Sequence, residues 1–206
     1  MVAAMTVPER LIVGISGASG VIYGVRLLEA LRPLPVESHL VMSPAAEKTL
    51  ALETRLKVAQ VRDLADVWYP VSDIAAAPSS GSFRTLGMIV APCSMRTLAE
   101  IACGTTSNLL SRAADVVLKE RRRLVLMARE TPLNGVHLRN MLTLTELGAI
   151  VAPPVPAFYS QPKNVDDIVD HTVGRVLDLF NLETGKVRRW GEPRGAKRPR
   201  RSPKKP

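Results

Sequence analysis

Residues 11–31, L-I-V-G-I-S-G-A-S-G-V-I-Y-G-V-R-L-L-E-A-L, constrain the fold more than any other stretch of the chain. Leu11, Ile12, Val13 and Ile15 form a short apolar run that reads as a buried strand. Gly14, Gly17 and Gly20 follow, with Ser16 and Ser19 between them, and then Val21, Val25, Leu28 and Leu31 recur at helical spacing. A strand, a glycine turn and a helix start make an anion cradle. Glycine lets backbone N–H groups approach a ligand, and a helix N-terminus favours negative charge. The spacing G-x-x-G-x-x-G departs from the dinucleotide fingerprint, and no P-loop lysine follows it. A tight turn without a ligand therefore stays open beside a site for a phosphate or polar ring. The two hydroxyls favour the site.

Further on, residues 38–42 read as a second strand ending at Ser43-Pro44, followed by a helix over 45–52 that closes near Glu53. Residues 58–65 look helical, 67–69 form a short strand, and 75–82 are a loop of small residues. Residues 86–91 are the next buried strand, running into Pro92-Cys-Ser-Met-Arg-Thr97. Helices are expected over 98–103 and 108–119, then a strand over 124–128 that ends at Arg129-Glu130. A helix over 137–147, a strand over 149–151, a proline-rich loop over 153–162 and a helix over 165–179, capped by Asn164 or Asp166, complete the order. Strands alternating with helices predict an α/β fold of the three-layer Rossmann-like or flavodoxin-like kind, with a mainly parallel sheet. Ligands of such sheets bind outside the carboxyl ends of the strands. The polar clusters at 16–19, 43, 94–97 and 129–130 all fall at such ends. Their convergence is a stronger signal than any one motif.

The formal charge of +9 suggests nucleic acid until it is located. Residues 186–206 hold ten Lys or Arg and one acid, and the first 185 residues carry 18 groups of each sign. The basicity belongs to the tail, so one domain over 1–190 and a solvated Pro-rich tail over 191–206 are expected, with no nucleic acid as partner. Cys93 and Cys103 match no metal spacing, and no metal ligand cluster appears, so a reduced, cytoplasmic setting is expected. Neither a signal peptide nor a membrane span is expected, since no apolar run has the required length.

Several stretches together resemble the UbiX-type flavin prenyltransferases, a family also described as aromatic-acid decarboxylases. They are G-I-S-G-A-S-G-V-I-Y-G (14–24), H-L-V-M-S (39–43), S-S-G-S-F (79–83), A-P-C-S-M-R-T-L (91–98), N-L-L-S-R-A-A-D-V-V-L-K-E-R-R (108–122), A-R-E-T-P-L (128–133) and V-P-A-F-Y (155–159). The resemblance spans about residues 10–190; Pro44, where the family commonly has lysine, and the basic tail depart from it. It implies transfer of a dimethylallyl group from dimethylallyl monophosphate to reduced FMN. The prenylated FMN serves a separate UbiD-type decarboxylase. It further implies a homododecamer with active sites at subunit interfaces, and no metal. By motif, Gly17, Ala18, Ser19, Ser43, Ser94, Met95, Arg96, Thr97 and Arg129 would hold the flavin. Arg112, Lys119, Tyr159 and Arg175 would hold the donor phosphate, with Ser19, Glu53, Lys119 and Glu130 as catalytic groups.

Read in isolation, the same residues have plainer roles. Arg112 and Lys119 share a helix face that fits a solvated stripe equally well, Tyr159 fits a packing anchor, and Arg129-Glu130 fits an ion pair. His39, His137 and His171 receive no role. Two other functions stay open. An FMN-dependent decarboxylase of the cysteine-decarboxylating group would carry a P-x-M-N-x-x-M-W motif, from which T-P-L-N-G-V-H-L-R-N-M-L (131–142) departs. A flavin carrier or other binding module is the second.

Overall fold

The computed structural model describes residues 9–191, so nearly all of the expected basic tail lies outside the described residues. Six strands form the sheet: β1 (Glu9–Ile15), β2 (Val36–Met42), β3 (Val67–Tyr69), β4 (Gly87–Cys93), β5 (Arg123–Ala128) and β6 (Ile150–Val151). Every neighbouring pair is parallel, in the order β3-β2-β1-β4-β5-β6. That is the Rossmann order, with its switch point between β1 and β4.

Alternation along the strands divides the core in two. Leu11, Val13 and Ile15 of β1 face a layer built on α1 (Val21–Leu31), α2 (Pro44–Glu53), α3 (Val58–Arg62) and α7 (Val165–Asp178). Ile12 of β1 with Met88 and Val90 of β4 faces α4 (Met95–Ala102), α5 (Leu109–Lys119) and α6 (Gly135–Glu146). The helical spacing read in residues 21–31 places Val21, Val25, Leu28 and Leu31 in the first core, each buried. Burying a side chain of this size stabilises by roughly 1.5–3 kcal/mol. Arg26 then anchors α1 to α7 through Asp170 at 2.7 Å and Asp166 at 2.8 Å.

The element boundaries differ from the sequence reading where caps decide. Residues 94–97, expected as a strand-end loop, are the cap and first turn of α4, because the Ser94 hydroxyl accepts from Thr97 N. Asn134 does the same for α6, which starts at Gly135 instead of 137. β4 continues past 91 to Cys93, and a register irregularity between Val90 and Cys93 absorbs Pro92, which has no N–H to donate. Pro44, the departure at the end of β2, is the first residue of α2, where a missing N–H costs nothing.

Candidate active site at the switch point

The loops after β1 and β4 are stapled together by one buried hydroxyl. Ser16 Oγ donates to the Pro92 carbonyl at 2.9 Å and accepts from Ser94 N at 2.7 Å. The sequence reading offered Ser16 to a ligand; the staple uses that hydroxyl twice and buries it. Beside the staple lies a cavity of about 660 Å³, lined by Gly17, Ser43, Lys48, Ser94, Thr97 and Asn108 among others. Three helices begin on its wall. Ser43 caps α2 by accepting from Ala46 N, Ser94 caps α4, and Asn108 caps α5 by accepting from Leu110 N and Ser111 N. The positive ends of three helix dipoles therefore face one space, which suits an anion. Lys48 and Arg96 add charge at the wall; Arg96 is mostly exposed and held by Glu100 at 3.0 Å.

Gly17 is required by contact, since a Cβ there would strike Ala45 of α2. Gly20 is required by conformation, with φ at 96° as the cap of α1. The cradle read in the glycine turn exists, and it already holds an anion. Glu53 Oε2 accepts from Gly20 N at 2.9 Å and from Val21 N at 3.0 Å. Glu53, expected as a catalytic group, thus stands as the acceptor at the start of α1. The helix starts at the cavity are those of α2, α4 and α5, each capped by its own side chain.

Of the expected flavin residues, Gly17, Ser43, Ser94, Arg96 and Thr97 line this cavity. Thr97 is buried, and the Ser94 hydroxyl donates to its Oγ1 at 3.1 Å. Met95 packs against the second core. Ala18, Ser19 and Arg129 sit at the same strand ends on the side of α1. There Arg129 N donates to the Cys93 carbonyl at 3.1 Å. Its guanidinium also acts on Tyr23 of α1, whose phenol is pushed up by burial and partly drawn back by that charge. Glu130 is exposed and accepts from Thr131 N at 2.9 Å. Sequence reasoning missed Lys48, and Asn108 was read only as a helix start. The signal for Asn108 was its cap position at a carboxyl-end loop.

The expected phosphate cluster is not assembled within one chain. Arg112 and Lys119 belong to α5, and Arg175 to α7, on the opposite face of the sheet. α5 starts at the cavity and runs away from it, so at about 1.5 Å per residue Lys119 ends roughly 16 Å from that start. Arg112 pairs with Asp115 at 2.7 Å and Lys119 with Glu120 at 2.5 Å. Tyr159 and Arg175 share a separate cavity of about 270 Å³ between α7 and the proline-rich loop. Tyr159 meets His171 and Trp190 edge to face, and Arg175 pairs with Asp178 at 2.6 Å. Burial raises the Asp178 carboxyl, but hydrogen bonds from Arg189 and Arg175 outweigh it and hold the group below its ordinary value. Among the described residues no group of three or more His, Cys, Asp or Glu is placed to hold a metal, and no helix is long and apolar enough to cross a membrane.

A family model described as Flavoprotein matches residues 2–177. The flavin prenyltransferase UbiX of Escherichia coli (strain K12) is 60% identical over 175 residues, covering 84% of this chain and 93% of the relative. A crystal structure of AnUbiX (PadA1) in complex with FMN and dimethylallyl pyrophosphate superposes with a TM-score of 0.89 at 54% identity, covering 90% of this chain and 99% of that one. A dodecameric FMN-dependent UbiX-like decarboxylase from Escherichia coli O157:H7 gives 0.87 at 56%, covering 89% and 100%. Solved cysteine decarboxylases of this architecture stand at 18–20% identity and share the fold alone. With these identities over most of its length, the chain belongs to the UbiX flavin prenyltransferase family of flavoproteins.

Proposed function

We propose that this protein transfers a dimethylallyl group from dimethylallyl monophosphate to reduced FMN, making prenylated FMN for a UbiD-type decarboxylase. One observation carries the reading: the family motifs at the ends of β1, β2 and β4 meet around a single cavity faced by three helix starts. That cavity lies within the range of about 300–1,000 Å³ typical of ligand sites, and its hydroxyls and helix N-termini fit a ribityl phosphate. When bound, reduced FMN supplies an electron-rich ring that accepts the prenyl group at N5 and C6. Ser43, Ser94, Arg96 and Thr97, with Arg129, hold the phosphate and ribityl chain, while Gly17, Ala18, Ser19 and Met95 flank the ring. Glu53 fixes the glycine turn through its two N–H acceptor bonds. Phosphate leaves well only when its charge is neutralised, which is the task of Arg112, Lys119, Arg175 and the Tyr159 hydroxyl. Glu130 supplies the proton route to the departing phosphate.

These donor groups come from neighbouring copies. The AnUbiX relative holds both FMN and dimethylallyl pyrophosphate, and the Escherichia coli O157:H7 relative is a dodecamer. α6 supports assembly here: only Leu144 of it is buried, while Val136, Leu138 and Leu142 are more than half exposed. The test is anaerobic incubation of protein with reduced FMN and either dimethylallyl monophosphate or pyrophosphate, followed by mass spectrometry of the flavin. A five-carbon addition from the monophosphate is expected. No addition from either donor contradicts the reading.

A further inference from the structure

The S-S-G-S-F loop at 79–83 carries no assigned role, yet two arginines grip its backbone. Arg122, just past α5, donates Nη2 to the Gly81 carbonyl at 2.7 Å and Nη1 to the Phe83 carbonyl at 2.6 Å. Arg112, two turns earlier than Lys119 on α5, donates Nε to the Ser79 carbonyl at 3.3 Å. Two of the five N–H donors of the Arg122 guanidinium are thus spent on main-chain carbonyls of the loop. Their effect is to press the loop against the end of α5. The far side of the loop is fixed too, since the Phe83 ring packs edge to face with buried His39 and lies under Arg10.

The point of contact is Gly81. A Cβ there would fall on Glu120 Oε1 and within 2.9 Å of Lys119 Nζ. Glu120 links the two cations, accepting from Lys119 at 2.5 Å and standing 3.9 Å from Arg122. The bond from Lys119 is the largest cause holding the Glu120 carboxyl below its ordinary value. Lys119 therefore has a defined place: packed by a bare backbone on one side and steered by a carboxylate on the other. A lysine carries four rotatable bonds, and fixing it beforehand removes an entropy cost from phosphate binding.

We propose that Arg122 is a positioning residue for the prenyl donor: by clamping loop 79–83 to the end of α5 it sets Gly81 and Glu120 around Lys119, and so presents the Lys119 ammonium to the donor phosphate. This rests on the prenyltransferase reading and adds a residue to it. Arg122 touches neither donor nor flavin; it acts through Lys119.

Two variants test it by steady-state prenylation, with FMN affinity and thermal unfolding measured alongside. Arg122→Lys keeps the charge and loses the fork. Gly81→Ala leaves the fork intact and displaces only the flexible ends of Lys119 and Glu120. Both are expected to raise KM for dimethylallyl phosphate about tenfold, about 1.4 kcal/mol, with FMN affinity within about twofold and kcat little changed. Gly81→Ala is further expected to unfold at the wild-type temperature. Wild-type KM for the donor in folded Gly81→Ala overturns the proposal, as does an equal loss of FMN affinity in both variants. Failure of the wild-type protein itself to add a five-carbon unit would instead overturn the functional reading.

Discussion

At the carboxyl ends of β1, β2 and β4, the polar side chains at the cavity are placed by the backbone beside them. Ser43, Ser94 and Asn108 are helix caps, held by N–H groups two or three residues further on. Lys119, Tyr159 and Arg175 are different. They stand on long side chains or in an irregular loop, each with a local partner, on opposite faces of the sheet. Five of the residues expected to hold the flavin line one cavity of a single chain, whereas those expected to hold the donor phosphate stand apart in it. The contrast teaches that helix caps fold a binding cavity locally, while a charged cluster for a leaving group can be assembled by symmetry.

The largest effect that separates the halves from the chemistry is expected at Glu130. Glu130→Gln keeps the shape of the side chain and cannot shuttle a proton, so prenylation should fall by about 10²–10⁴-fold. FMN titration should give wild-type affinity. Loss of FMN binding instead would place Glu130 in the flavin half.

Next in size is a pair of arginines that should separate cleanly. Arg129→Ala should weaken FMN by the value of a charged hydrogen bond, about 1.5–3 kcal/mol, or roughly 10–100-fold. Arg175→Ala should raise donor KM by a similar factor and leave FMN titration unchanged. Calorimetry with FMN and donor saturation curves check both, and a crossed result breaks the division.

The sequence carried the strand-end turns well because their signals are local. Glycine spacing, a strand run and a hydroxyl at a strand end occupy a dozen residues, so the turn at 16–20 and the strand-end serines could be read directly. It misplaced what depends on a distant partner. The Ser16 hydroxyl was offered to a ligand because the Pro92 carbonyl, 76 residues away, was invisible. The α1 cradle was offered to a phosphate or polar ring because nothing local shows Glu53 folding back 33 residues onto Gly20 N. Lys119 and Arg175 were expected around one donor phosphate at a subunit interface, and within one chain they stand on opposite faces of the sheet.

The smallest effect is expected at Ser43. Ser43→Ala removes a cap and a cavity hydroxyl together, so unfolding free energy and FMN affinity should each fall by about 1 kcal/mol. Chemical denaturation and the same titration measure both. A drop in stability alone would make Ser43 a cap and nothing more.

The division between the two halves is tested most directly by mixing subunits. Glu130→Gln and Lys119→Ala chains, each inactive in a uniform assembly, are coexpressed with different tags and the mixed oligomer is isolated by tandem purification. If Lys119 serves a neighbouring copy's cavity, random pairing places wild-type groups together in about a quarter of the sites, as closed assembly of two subunit types requires. Prenylation should recover to about that fraction of wild type. If both residues serve the same cavity within one chain, every site in the mixture carries a defect. Activity would then stay at the level of the two parents, and the intersubunit site would be contradicted.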